Sequence, residues 1–194
     1  MDRARLPIGP RLLELIERLG SLLRADRQHL PTNLRPVHLR ALDYVSRCNR
    51  YSNTPAALAS YLGATRGTTS QSIAVLERRK LLRRTRDPDD RRIVRLHLTG
   101  RGKQLLRQER DTLIRKLESW ETVAPADLAK ALEVLERLLR HLQRENDYRT
   151  FGLCRTCRHL LREGPGKFRC GLTLEPLAPA ETEQICHEHE YPAP

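Results

Sequence analysis

Aromatic residues are nearly missing from this 194-residue chain: one Trp, two Phe and five Tyr make up 4% of it. A core of stacked rings is therefore excluded, and Leu, Ala, Val and Ile must fill it. No apolar run approaches the ~18 residues that a membrane-spanning helix needs. The first seven residues, Met-Asp-Arg-Ala-Arg-Leu-Pro, begin no apolar signal-peptide segment, so a cytoplasmic protein with no membrane partner is expected. There is no internal repeat, no low-complexity tract, no Gly-rich phosphate loop and no paired set of catalytic side chains, which argues against an enzyme. Negative charge is also scarce: 24 Asp and Glu face 36 Lys and Arg, leaving +12 and a pI near 10.2.

What is present is unevenly placed. Between Thr65 and Lys103 stand twelve Lys/Arg and four Asp/Glu, whereas from Thr150 onward five basic residues meet six acidic ones. The positive field belongs to the middle of the chain and fits a polyanionic partner.

Apolar residues at helical spacing mark a first helix through Leu12, Leu13, Ile16, Leu19 and Leu23, ending between Asp26 and Pro31. Pro36 opens a second, with Leu39, Leu42 and Val45 on one side, running to about Cys48. Thr54-Pro55 is a cap-then-proline signal for a short helix that Gly63 stops after Leu62. Thr65 caps the next, whose stripe is Ile73 and Leu76 and which reaches about Lys80. Leu81–Thr85 and Ile93–Leu98 read as strands joined by the turn Asp87-Pro88-Asp89-Asp90. Helices resume after Thr99, to about Glu121, and from Pro125, where Leu128, Leu132, Leu135 and Leu139 share a face. The first and last helices carry more apolar surface than a domain of this size needs, which points to a twofold dimer.

Residues 54–99 thus follow the plan of a winged helix-turn-helix: two helices, then a β-hairpin, with the second helix suited to the major groove of double-stranded DNA. On that helix Arg66, Thr68, Ser70 and Gln71 lie opposite the apolar stripe. Gln pairs with adenine, Arg with guanine, and a Thr methyl meets the thymine methyl. Arg78 and Arg79, with Lys80, suit phosphates. In the hairpin Arg91 and Arg92 stand beside the turn, where a slim cation enters a minor groove, and Asp90 is placed to hold one of them or to tie the hairpin to the helix.

The stretch from Leu58 to Gly102, with D-P-x-D-R-R followed by L-x-L-T-x-x-G, resembles the winged helix of MarR-type regulators, and the resemblance extends over about Leu12–Leu142. It implies a homodimer with interlocked outer helices that binds a pseudo-palindromic operator, usually as a repressor. It also implies that Arg92 is the minor-groove arginine and Asp90 its salt-bridge partner. Many such proteins take a small-molecule effector in a cleft between dimerisation and DNA-binding regions. Lys80 departs from the pattern, which commonly has Gly there, so a different turn is expected.

Residues 146–152 read as a linker between a body, 1–148, and a tail, 149–194, that holds four of the five cysteines. Cys154-x2-Cys157, twelve residues, Cys170, fifteen residues and Cys186 is a metal-ligand pattern in a segment with almost no apolar core, and bound metal is what stabilises such segments. Zinc is the common occupant of four-cysteine sites, but zinc ribbons usually carry two C-x2-C knuckles. One knuckle, a Gly-containing loop, C-x-L and a last cysteine resemble the high-potential iron–sulfur proteins over Leu153–Glu190, implying a [4Fe–4S] or [2Fe–2S] cluster. Phe151, Phe168 and Tyr191 are the aromatics available to shield it. His159, His187 and His189 read as outer partners or replacement ligands. Cys48, alone in the body, reads as a small buried hydrophobe.

The fold expected is therefore mainly α with a small β-wing (α+β), flanking dimerisation helices and a small metal-stabilised C-terminal module. The function expected is a DNA-binding regulator sensing redox state, oxygen or iron through the cluster. The alternative is a regulator responsive to a small molecule, with structural zinc in the tail. A C-x2-C thiol oxidoreductase is a distant third, because the βαβ setting of such motifs is missing.

Overall fold

A computed structural model describes residues 8–28, 34–118, 124–145 and 149–192. The helices are α1 (Ile8–Gln28), α2 (Pro36–Arg47), α3 (Pro55–Leu62), α4 (Arg66–Arg78), α5 (Gly100–Glu118) and α6 (Pro125–Glu145). The strands are β1 (Leu82–Arg86), β2 (Val94–Leu98), β3 (Leu160–Gly164), β4 (Lys167–Cys170) and β5 (Pro176–Leu177). The expected ends near residues 31 and 121 and the start of the expected linker, 146–148, lie outside the described residues. None of the described helices is long and apolar enough to cross a membrane.

Local chemistry accounts for the central helices. Pro36 begins α2 where its missing N–H costs nothing. Thr54 Oγ1 accepts from Ala57 N and Thr65 Oγ1 from Thr68 N, each satisfying an orphan amide of a first turn. Gly63, at φ 63°, ends α3 in the left-handed conformation that favours glycine. In α4 the buried side chains are Thr69, Ser72, Ile73 and Leu76, one stripe at three- and four-residue spacing. Ile73 and Leu76 join Leu39, Leu42 and Tyr44 of α2, Leu58 of α3, and Leu82 and Leu96 of the β1–β2 hairpin in one core, all buried. Each such Leu or Ile contributes about 1.5–3 kcal/mol of apolar burial.

The hairpin pairs Leu82 with Leu98 through Arg86 with Val94, one residue later at each start than the sequence pattern suggests. Lys80 adopts φ 56°, so the left-handed turn that a glycine would make survives without one. It is held by Leu81 N donating to Leu76 O and by Thr99 Oγ1 donating to Lys80 O. The expectation of a different turn is thus corrected: the hydrogen bonds impose the geometry on a side chain that disfavours it. Relief of that strain exceeds the extra chain entropy of glycine, so Lys80→Gly should stabilise the protein by about 1 kcal/mol, measured by urea unfolding.

The tail is not suspended from the body. Strands β3, β4 and β5 form a small antiparallel sheet. Ile185 enters the main core and bridges to both Cys48 and Leu153. Its amide donates to Arg47 O and its carbonyl accepts from Asn49 N. Phe151 packs edge-on to Tyr44 and Tyr61, at ring-centroid distances of 6.1 and 5.2 Å. Three of the scarce aromatics, Phe151, Tyr44 and Tyr61, are therefore spent on the seam between tail and body.

Candidate nucleic-acid interface and cysteine site

Helix α4 and the hairpin present a groove of about 570 Å³ lined by Arg66, Ser70, Arg92 and Arg95, among others. Arg66, Ser70, Gln71, Arg78, Arg79, Arg91 and Arg92 are all exposed. Thr68 is exposed too, but its hydroxyl lies 3.0 Å from that of Thr65, so it belongs to the helix cap and only its methyl is left to read a base.

Asp90 departs from the expected salt bridge. Its Oδ1 accepts from the backbone N–H of Arg92 at 2.9 Å, the short-range turn bond that an Asp side chain favours. The ion pair of the hairpin is Asp87–Arg95 instead, Nε to Oδ2 at 2.7 Å, with both side chains mostly buried. The Arg95 hydrogen bond holds the Asp87 carboxyl below its ordinary range, helped by the backbone amides of Asp90 and Asp89 on Oδ1. Neither Asp87 nor Arg95 is singled out by the sequence, because nothing at eight residues' separation marks a pair. Nearby, Arg84 pairs with Glu77 and so fastens the hairpin to α4.

Cys154, Cys157, Cys170 and Cys186 line one small cavity with Leu160, Leu172 and Leu177. Cys154 and Cys186 are buried, Cys157 and Cys170 partly so. Among the described residues, no three His, Cys, Asp or Glu side chains stand as a group that could hold a metal ion, so a finished metal cage is not what the tail displays. Cys154 and Cys186 instead share a sulfur–sulfur hydrogen bond, which favours the thiolate at Cys186 and the thiol at Cys154. Asn49 Nδ2 donates to Cys154 Sγ at 3.5 Å. The donor chemistry fits a soft metal or an iron–sulfur cluster: four thiols, apolar walls and an amide N–H directed at sulfur.

The aromatics named from sequence do not shield this cavity. Phe151 lies on the tail–body seam, Arg162 covers Phe168, and Tyr191 packs on His189; Tyr51 is the aromatic at the cavity wall. His189 is occupied on both ring nitrogens by the hydroxyls of Thr150 and Thr156. His187 bonds Glu188, and His159, at the cavity wall, approaches Glu190 at 3.4 Å. Cys154–Thr156 is a 3-10 turn, not the start of an α-helix after a strand, which removes the geometry of a thiol oxidoreductase.

Cys48 is buried, and burial pushes its thiol up to about 12. Thiolate is the reactive form, so a maleimide reagent should modify Cys48 in the native protein at least 100-fold more slowly than after unfolding in guanidinium, read by mass spectrometry.

The fold and groove together define a winged helix-turn-helix. Residues 32–93, which span α2 to α4 and the first part of the hairpin, match a family model described as MarR family. The structure resembles a mutant of MepR from S. aureus, with a TM-score of 0.58 and 18% identity, over 71% of this chain and 100% of that one. FabT of Streptococcus pneumoniae, solved in complex with DNA, aligns with a TM-score of 0.55 and 21% identity, over 70% and 95%. BpsR of Bordetella bronchiseptica, whose DNA binding is regulated by 6-hydroxynicotinic acid, aligns with a TM-score of 0.53 and 19% identity, over 71% and 96%. No curated protein matches the sequence.

Proposed function

We propose that this protein is a homodimeric, MarR-type DNA-binding transcriptional regulator, acting as a repressor, whose four tail cysteines hold an iron–sulfur cluster. The observation that carries DNA binding is the cationic groove between α4 and the wing, with Arg66, Arg92 and Arg95 in its lining. Arg66, Ser70 and Gln71 read base edges in the major groove, Arg78 and Arg79 hold phosphates, and Arg91 or Arg92 enters the minor groove. FabT, of like fold, was solved on DNA.

Dimerisation follows from the outer helices. Leu13, Leu19 and Leu22 of α1 and Leu132, Leu135 and Leu139 of α6 are each 48–60% exposed in the single chain. Apolar faces of this extent are covered in a stable protein, and a second copy covers both. A twofold dimer sets its two readers about 34 Å apart, one turn of DNA.

Cys154, Cys157, Cys170 and Cys186 are the residues that would hold the cluster, which when bound supplies one-electron redox chemistry and sensitivity to oxygen and iron supply. The protein's part is to supply the thiolates, exclude water with Leu160 and Leu177, and direct the Asn49 N–H at sulfur.

A second reading rests on a cleft of about 740 Å³ lined by Val45, Arg47, Arg83, His97, Leu106 and Glu181. It has room for a small-molecule effector, with zinc in the tail. The deciding experiment is anaerobic purification followed by absorption spectroscopy with iron, sulfide and zinc analysis. Brown protein with sulfide supports the cluster, and colourless protein with stoichiometric zinc replaces it by the second reading. A duplex selected from a random DNA library, bound with a steep salt dependence, supports the regulator; absence of any selected sequence overturns it.

A further inference from the structure

Residues 49–53 touch the cysteine site on one side and the wing on the other. At the sulfur end Asn49 Nδ2 donates to Cys154 Sγ, and Ser52 Oγ accepts from the backbone N–H of His187, next to Cys186. Asn49 and Ser52 are 2% and 1% exposed, two polar side chains inside an apolar neighbourhood. Asn49 Oδ1 shapes the loop itself by accepting from Tyr51 N at 3.2 Å and Ser52 N at 3.0 Å. At the wing end the carbonyls of Arg50 and Tyr51 and the side-chain oxygen of Asn53 all accept from Arg95 Nη1. Asn53 O accepts from Leu96 N at 2.7 Å, adding a bond to β2. The other side of the same guanidinium holds Asp87, whose second oxygen organises the amides of Asp89 and Asp90 at the wing tip beside Arg91 and Arg92. Residue 54, the next along, caps the first helix of the DNA reader.

We propose that this five-residue loop is the strap by which occupancy of the four-cysteine site sets the position of the wing, with Asn49 and Arg95 as the positioning residues at its two ends. The proposal rests on the reading that the four cysteines hold a metal centre. The physical cause is the acceptor strength of sulfur. A metal-bound thiolate accepts the Asn49 N–H as a charge-assisted bond, roughly twice as strong as the bond to a neutral thiol. The gain or loss of that bond falls on the one side chain whose other end shapes the turn at residues 51 and 52. Their neighbours' carbonyls in turn fix Arg95, and a shift there moves Asp87 and the tip with it.

The test compares full-length protein as isolated with metal and after stripping by a chelator under reducing conditions. Affinity for the selected duplex is read by fluorescence anisotropy, and metal content is measured alongside. In the wild type the two forms should differ about 10-fold in Kd, a usual size for coupling between sites. In Asn49→Ala and in Arg95→Lys, which keeps the charge but cannot bridge Asp87 and the loop, the ratio should fall below about 3-fold when the loaded samples are matched for metal content. The absorption spectrum of the loaded centre should move in Asn49→Ala, which removes the N–H at sulfur, and not in Arg95→Lys. If Asn49→Ala fails to fold, Arg95→Lys carries the comparison. A wild-type ratio retained in metal-loaded variants overturns the strap while leaving the metal centre in place. Wild-type protein that takes up neither zinc nor iron and sulfide overturns both.

Discussion

Replacing Arg92 by alanine should weaken binding to the selected duplex by about 1–3 kcal/mol, or about 5- to 150-fold, and lower its salt dependence. The backbone at Arg92 is held by the Asp90 carboxylate on its N–H, so the guanidinium starts from a fixed root. The side chain is exposed and shares the groove with Arg66 and Ser70 of α4. A cation rooted this way is already placed at the wing tip, and the negative potential of a narrow minor groove attracts it. Because the side chain is exposed and bears no part of the core, the thermal midpoint should move little, within the ±0.5 kcal/mol typical of surface changes. Anisotropy titrations at several salt concentrations measure both quantities at once. An unchanged Kd and slope would mean that the wing stays off the DNA and that α4 alone carries recognition. Asp90→Asn should weaken binding less, since an amide oxygen still accepts from the Arg92 N–H.

Removing the metal centre proposed for the four tail cysteines should have the largest effect on stability. The tail sheet has few buried apolar side chains of its own, Leu177 and Ile185 among them, and Ile185 is shared with the main core. Metal held by four thiolates contributes several kcal/mol to a segment of this kind. For a chain near 200 residues each kcal/mol moves the thermal midpoint by about 2–4 °C, so chelation or Cys154→Ser should lower it by about 10 °C. The loss should not stay in the tail. Ile185 is hydrogen-bonded to Arg47 and Asn49, and Phe151 packs on Tyr44 and Tyr61, so amides of α2 and of the 49–53 loop should lose protection from hydrogen exchange as well. A wild-type protein whose midpoint and exchange pattern ignore the chelator would show that the thiols carry no structural metal.

The elements of the winged helix-turn-helix are legible in the linear order of residues because every signal for them is local. Thr54-Pro55, Gly63 and Thr65 place the ends of α3 and the start of α4 through caps that reach three residues. The stripe of Ile73 and Leu76 identifies the buried face of α4, and its opposite face follows. The spacing of the four tail cysteines was enough to group them, and they do line one cavity. The scarcity of negative charge places the cationic stretch between residues 65 and 103.

Tertiary structure alone decided the rest, for a reason of range. Hydrogen-bonded turns and helix faces depend on neighbours within about four residues, which sequence displays directly. Asn49 meets Cys154 across 105 positions and Arg50 meets Glu181 across 131, and such meetings depend on where the chain returns after α6. Lys80 keeps a glycine's turn because Thr99, nineteen residues on, bonds its carbonyl. Phe151 left the cysteines for Tyr44 and Tyr61 because the seam offered aromatic partners, which composition cannot locate. The sequence determined that there is a reader, a wing and a cysteine group. The folded chain determined that a five-residue loop joins the last to the first two, because only packing brings side chains from distant segments within reach of one hydrogen bond.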